Sequence, residues 1–406
     1  MLSCRIEFDP ERDAEIFAST PAVLAVFLLR GDDPQAEPYV SKTANLRRRL
    51  QRLLGLPPAL ASVARPDSRG RLSLRGRFSL NLRERVRWIE YTPTGSDFES
   101  GFLLYQLLRL TFPKVYANRL RLRFAPLIKL HMENEYPRAS VTTRLGRMNG
   151  RNIYYGPFAS RSLAEKFAND SFDFFKMRRC VDDLHPDPTF PGCIYSEMKM
   201  CLAPCFRGCT DQEYQAEVGR VRSFFDSRGE SLVREISLQR DAASANLEFE
   251  NAAALHAQVD KLRPLLGQLP EVVQRVDSLE GVIVQPSAQS EAVNFFLLNA
   301  GCLSGPTVFA IQASEHTKSQ SMESRLREAL AAIPRVASRT ALETMEHLAL
   351  LRRWYYRSTR VGEIFFTGPQ SDLPLRRIVR GIARVYRGER PEPGRAESTG
   401  SSLRPE

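Results

Sequence analysis

RRCVDDLHPDPTFPGCIYSEMKMCLAPCFRGCTDQEY, residues 178–214, holds five of the chain's seven cysteines. Cys180, Cys193, Cys201, Cys205 and Cys209 crowd into this one stretch, while Cys4 and Cys302 stand alone. The stretch is rich in proline and shows no apolar period of either the helical or the strand kind. That is the pattern of a segment folded around a ligand rather than a core. Clustered cysteines in a cytosolic chain are more often metal ligands than disulfides. Four thiols suit tetrahedral zinc or an iron–sulfur cluster. The spacing is Cys180-x12-Cys193-x7-Cys201-x3-Cys205, with Cys209 after another x3. Zinc motifs generally have tight pairs at both ends, and here only the second half is tight. Spacing alone leaves zinc and iron–sulfur nearly even, with scattered buried thiols as the bland alternative.

Outward from this block the chain changes character on both sides. Downstream, about 211–263 reads as helix throughout, ending in the amphipathic LEFENAAALHAQVDKL. Residues 270–388 then read as an α/β segment with strands such as LEGVIVQ and AVNFFLL, and 389–406 has the composition of a disordered tail. Upstream, NIYYGPFAS leads into a helix over about 161–176. APLIKLHM and ASVTTRL suggest a hairpin before it, and RLRLRF at 119–124 alternates as a strand with Arg119, Arg121 and Arg123 on one face. Further back come a helix over 98–112 and strands at 85–92 and 21–29. A short strand begins at YVSK, and the helix ANLRRRLQRLL is ended by Gly55. The class expected is α+β. The expected domains are 1–125, 126–215 around the hairpin and cysteines, 216–265 as a helical hairpin, and 266–388 with no role read, followed by the tail 389–406.

The 406 residues carry a formal net charge of +11. Residues 1–130 hold 22 Lys and Arg against 13 Asp and Glu, so most of the surplus sits in the first third. A polarised basic segment points first to nucleic acid and second to a membrane surface. Arg47, Arg48 and Arg52 lie on one predicted helix. Arg65, Arg69, Arg71, Arg75 and Arg77 lie on the loop after it, with Phe78 and Trp88 nearby. Such arginines contact phosphates and read no sequence. Solvated charge on an ordinary surface is the bland alternative. No apolar run approaches the roughly 20 residues of a membrane helix, and the first residues lack a signal peptide's apolar core. A cytoplasmic protein with no membrane partner is expected.

The cysteine block resembles that of the UvrC excinuclease family and its short relative Cho. In that family a basic residue and Cys precede a variable loop. A Cys just after a Pro, a Cys-Leu-x-Pro-Cys and a Glu-Tyr helix start follow. YYGPF at 154–158 is similar to the family's Tyr-Phe-Gly-Pro-Tyr. LEFENAA at 247–253 is similar to the UVR motif, a helical hairpin that docks the partner protein UvrB. The resemblance implies an iron–sulfur cluster on Cys180, Cys193, Cys201 and Cys205, double-stranded DNA as substrate, and a UvrB-like partner on the hairpin. The Arg-Asp expected after the Ala-Ala pair is His256-Ala257 here, which bears on that docking.

The N-terminal part is then similar to a GIY-YIG nuclease domain. In this class a tyrosine activates water, one carboxylate holds a single divalent metal, and Arg and Lys stabilise the phosphate charge. Tyr39-Val40-Ser41-Lys42 matches Tyr-Ile-Gly-Lys, and Arg49 matches the helix arginine. Leu24 stands where the first tyrosine belongs, Leu53 replaces a further tyrosine, and Leu104 replaces the metal glutamate before Pro113-Lys114. Leucine neither binds magnesium nor relays a proton. The expectation is a DNA-binding domain with a remnant site at Tyr39, Lys42 and Arg49, its magnesium ligand lost. A metal site shifted onto Glu99 or Asp97 is the active alternative. A non-enzymatic nucleic-acid-binding accessory protein on the same scaffold is the alternative from another class. A cluster protein with no nucleic-acid partner is the third.

Overall fold

The computed structural model describes residues 2–33, 35–55, 82–146, 151–181, 184–312, 320–334, 340–368 and 373–389. The basic loop with Arg65, Arg69, Arg71, Arg75, Arg77 and Phe78, and the tail beyond residue 389, lie outside the described residues. The chain divides into two compact units. One comprises Met1–Arg121, Gln285–Asn294 and Val308–Glu315. The other comprises Leu122–Val284, Phe295–Thr307 and His316–Glu406. Helices and antiparallel strand pairs occur in both, which is the α+β class expected.

The first unit carries β1 (Cys4–Glu7), α1 (Asp13–Ser19), β2 (Ala25–Arg30), β3 (Tyr39–Thr43), α2 (Leu46–Leu54), β4 (Trp88–Pro93), α3 (Asp97–Thr111) and α4 (Tyr116–Leu120). Its sheet runs β1-β4-β2-β3, and every pairing is antiparallel. The central strand β2 is the apolar run AVFLLR, buried at five of six positions because both of its faces are covered. Ala25, Phe27 and Leu29 pack with Phe17 of α1 and with Leu46, Leu50, Leu53 and Leu54 of α2. The α2 leucines recur at helical spacing, so four side chains enter one core. Full burial of each stabilises by about 1.5–3 kcal/mol. Asn45 starts this helix by accepting the Arg48 N–H at 2.9 Å. On α3, Ser96 accepts the Glu99 N–H at 3.1 Å. This helix lies against β3 and β2 and contributes nothing to the α1–α2 cluster.

One expected strand is absent. RLRLRF alternates, yet Arg119 and Leu120 close α4, and Arg121 turns left-handed at φ 49° with its N–H on the Ala117 carbonyl. Alternation specifies a strand only where a neighbouring strand can pair with it. Here Arg119 instead lays its guanidinium 3.8 Å over the Phe112 ring and reaches Glu37 at 2.7 Å.

The second unit opens with β5 (Leu127–Leu130), β6 (Ala139–Thr142) and β7 (Ile153–Gly156), then α5 (Arg161–Phe172). β5 and β6 form the expected hairpin, and the sheet order is β6-β5-β7-β8, with β8 at Gln274–Arg275. Between α5 and α7 (Asp211–Asp226) lies the cysteine block. Among the described residues its only regular structure is α6 (Ile194–Glu197) and one 3-10 turn at Pro204–Phe206. α8 (Glu230–Ala245) and α9 (Phe249–Gly267) pack as a hairpin joined through Leu247, which is left-handed at φ 64°. A third sheet, order β11-β10-β9-β12, combines β9 (Gly281–Pro286), β10 (Ala292–Asn299), β11 (Cys302–Ala310) and β12 (Glu363–Phe366). Helices α10 (Met322–Ala331), α11 (Ala341–Tyr355) and α12 (Leu375–Tyr386) complete the described chain. No helix among the described residues is long and apolar enough to cross a membrane.

Candidate functional site

The three residues expected to form a phosphate-handling remnant are divided between two contacts. Arg49, on α2, donates from Nη2 to the Tyr39 hydroxyl at 2.7 Å, and Tyr39 packs against the α1–α2 cluster. Lys42 is three residues further along β3, so its side chain leaves the opposite face of the strand. It meets α3 instead, with Nζ 2.5 Å from Asp97 Oδ1. Gly101, one turn on from Asp97, lies beside the same lysine: a Cβ there would stand 3.9 Å from Nζ, an ordinary contact.

This arrangement defines the face of α3 that looks at Lys42. Asp97, Gly101 and Leu104 are spaced by four and three residues, so they fall in one row. Leu104 therefore lies in the row that looks at Lys42, and it offers only a half-buried alkyl side chain. Asp97 holds the carboxylate of that row, about two turns away, paired with the lysine. Glu99 is five residues from Leu104 and points elsewhere. It is 5% exposed, accepts the Gly95 N–H at 2.8 Å and bonds to Asn294. Burial pushes its carboxyl upward, and these bonds oppose the shift. Glu99 thus closes the start of α3 and is a poor substitute ligand. Leu24 precedes β2, with its carbonyl on the Thr94 N–H at 2.9 Å.

The arginines expected to contact DNA separate in the same way. Arg47 donates from Nε to the Thr20 carbonyl at 2.7 Å and from Nη2 to the Ala18 carbonyl at 3.1 Å. Its fork satisfies carbonyls at the end of α1 and ties α1 to α2, which is a structural task. Arg48 and Arg52 are exposed, one turn apart on one face of α2. Arg69 and Arg71 lie outside the described residues. Trp88 stacks under Arg5, whose Cζ is 3.8 Å from the ring centroid.

The cysteine block is held from both ends. Thr210 and Glu213 form a capping box at the start of α7, and Tyr214 follows one residue later. The Tyr214 hydroxyl is buried; it donates to the Pro137 carbonyl at 2.7 Å and accepts the Arg178 N–H at 3.1 Å. Burial is the main reason its phenol is raised far above the ordinary value, with the thiols Cys201 and Cys180 adding to the shift. Arg178 is 3% exposed. It donates from Nε to the Tyr136 carbonyl at 2.9 Å and from Nη1 to Cys180 Sγ at 3.4 Å. The next residue, Arg179, turns out to Asp173 at 2.9 Å. The sequence marks a basic pair before the first cysteine but not which member turns inward.

All seven cysteines are free thiols, and no group of three or more Cys, His, Asp or Glu among the described residues could hold a metal ion as placed. The thiols nevertheless share one neighbourhood. Burial pushes Cys201 up to about 11, and the charges of Cys180, Cys205 and Cys193 each push the same way. Cys205 is raised by burial and then by Cys193 and Cys180. Cys209 is raised by burial, Glu213 and Asp211, and feels only Cys205 among the thiols. Desolvated thiols that oppose one another's ionisation are the donor chemistry a cation would relieve. Among the expected four, Cys201 and Cys205 show this, with Cys180 and Cys193 acting as the neighbouring charges, and the four do not form a ligand group as placed.

With this geometry in place, the comparisons fall on the same block. Residues 125–224 match the UvrC/Cho excinuclease, middle domain, family. The chain is also similar to proteins called UvrABC system protein C. The one from Carboxydothermus hydrogenoformans is 26% identical over 280 residues, 69% of this chain and 43% of that protein. Those from Rickettsia africae and Rickettsia bellii are 25% and 26% identical, over 70% and 56% of this chain and 42% and 35% of theirs. The resemblance read from the cysteine block is borne out, and the chain spans under half the length of these relatives. No solved structure matches.

Proposed function

We propose that this chain is a UvrC/Cho-like DNA-binding protein of nucleotide excision repair whose own nuclease site has lost its metal ligand. The observation carrying this reading is Leu104 in the row of Asp97 and Gly101, facing the Lys42 side of β3. The matched middle domain and the UvrABC relatives supply the repair context. Arg49 with Tyr39 on one face of β3 and Lys42 with Asp97 on the other are cationic groups that would neutralise phosphate alike in ground and transition states, which favours binding over turnover. Cys180, Cys193, Cys201 and Cys205 hold an iron–sulfur cluster, with zinc as the competing ion. The bound cluster supplies a cross-link that fixes a segment with almost no regular structure of its own. A UvrB-like protein docks on the α8–α9 hairpin, whose exposed Leu247 and Phe249 sit at its turn. The second reading, a non-enzymatic accessory on this scaffold, is favoured by the paired losses at Leu24 and Leu104.

The test is incision of a labelled, damaged duplex in magnesium and in manganese, with and without the partner proteins. The wild type is expected to be inert. Leu104→Glu with Leu24→Tyr is expected to recover trace nicking. Robust wild-type incision overturns the reading. In parallel, anaerobically purified protein is expected to be brown, and Cys201→Ser or Cys205→Ser to remove the colour. A colourless protein with one equivalent of zinc overturns the cluster assignment.

A further inference from the structure

Helix α12 carries Arg376, Arg377, Arg380 and Arg384, with Arg387 just beyond, and no Asp or Glu lies between residues 373 and 388. Its apolar side is already occupied: Ile378, Gly381, Ile382 and Val385 are buried. Gly381 sits so close to β12 that a Cβ there would fall 2.3 Å from the Phe365 ring. Arg384 belongs to the same docked side. It donates to both carboxylate oxygens of the buried Glu363, at 2.8 and 2.7 Å. A bidentate, largely desolvated pair of this kind anchors the helix.

The outward side is different. Arg376, Arg377, Arg380, Ala383 and Arg387 are exposed and follow helical spacing along one stripe. The Arg376 side chain is 87% exposed and stands 3.8 Å from Glu323, a pair of little energetic weight. Arg387 meets Glu389 at 2.8 Å, also at the surface. From 376 to 387 the stripe runs about 16 Å along the helix axis. It carries guanidiniums, whose planar fork matches phosphate oxygens.

We infer that the outward face of α12 is a second nucleic-acid contact, binding the phosphate backbone without reading sequence. It goes beyond the arginines of α2 and gives residues 266–388 a task; it rests on the reading that the chain works on DNA. A membrane surface fits less well. A helix that lies in a bilayer needs a free apolar face. This one is packed on protein, and among the described residues Tyr386 is the only large apolar side chain of α12 that is strongly exposed. The anchor also fixes the stripe in place, so the cations are presented without first ordering the helix.

The experiment uses the full chain and a fluorescent duplex of random sequence about 30 base pairs long, titrated across a salt series. Arg376→Gln, Arg377→Gln and Arg380→Gln are combined in one variant; Arg48→Gln and Arg52→Gln are combined in another. The α12 variant is expected to bind about tenfold or more weakly near 0.1 M salt. Its slope of log affinity against log salt is expected to flatten by up to about three. Its unfolding midpoint is expected to be unchanged, since none of the three side chains is buried. Duplex binding that is absent in the wild type defeats the DNA reading itself. Binding lost in the α2 variant but retained with an unchanged slope in the α12 variant defeats this inference alone. The inference is likewise overturned if the α12 changes abolish binding to anionic phospholipid vesicles or polyglutamate and spare the duplex.

Discussion

Tyr214→Phe removes one oxygen and keeps the ring, so it isolates what the hydroxyl does. That hydroxyl is buried and joins two parts of the second unit. It donates to the Pro137 carbonyl beside β6 and accepts the N–H of Arg178 at the mouth of the cysteine block. In the variant a buried carbonyl and a buried N–H each lose their partner. Each such orphan costs about 1–3 kcal/mol, and partial relaxation trims the sum, so a loss of about 2–4 kcal/mol is expected. For a unit of this size that corresponds to roughly 5–15 °C in the thermal midpoint. Packing of the ring on Tyr136, with centroids 5.5 Å apart, is retained, so the change reports hydrogen bonding rather than a cavity. The assay is denaturant unfolding followed by circular dichroism, with hydrogen exchange as the site-specific readout. The Arg178 amide should exchange faster in the variant, together with its neighbours at 176–180, while amides of β2 and β4 keep their rates. A loss below about 0.5 kcal/mol with unchanged exchange at Arg178 would refute the claim that this hydroxyl fastens the cysteine block to the β5–β6 hairpin.

Arg228 donates to the carbonyls of Leu269, Pro270, Glu271 and Val273 at 2.9–3.1 Å, so it clamps the chain after α9. Arg228→Ala should cost about 3–5 kcal/mol by denaturant unfolding, and Arg228→Lys most of that, because an ammonium cannot span the same carbonyls. His131 donates to or accepts from Ser140 at 2.7 Å, and burial, with Lys129, Arg138 and Arg178 adding, lowers its pKa to about 4; Glu133 opposes the shift. The folded state thus resists a proton that the unfolded chain takes up near 6.5, so this contribution to stability is present above that value and lost as pH falls toward 4. The group is only part-buried, so solvent screening holds the effect to about 1 kcal/mol. His131→Gln should flatten the stability profile between those pH values, and an unchanged profile would remove the assignment.

Much of the local architecture is legible in the amino-acid order alone. The leucines of the helix ANLRRRLQRLL, the helical stretch from about residue 211 and the β5–β6 hairpin are short-range patterns. Helical and strand periods act over a few residues, and in these elements the tertiary structure agrees with them. The cysteine block is legible for a related reason: many thiols in a stretch without apolar period have few structural explanations. Pairing over distance is not written there. RLRLRF reads as a strand, but a strand needs an edge beside it, and this segment turns into the end of α4. Arg47 and Arg48 are neighbours of one chemical type. One satisfies the carbonyls of Ala18 and Thr20 while the other faces water, because α1 happens to end beneath the first. Arg178 and Arg179 divide likewise, one against Cys180 and one toward Asp173. The same holds for Arg384, which Glu363 draws inward from a helix of otherwise outward arginines. A run of cations along the chain specifies that charge is present. Which charges are neutralised and buried, and which remain for a ligand, depends on carbonyls and carboxylates brought from far away in sequence, and only the assembled fold supplies them.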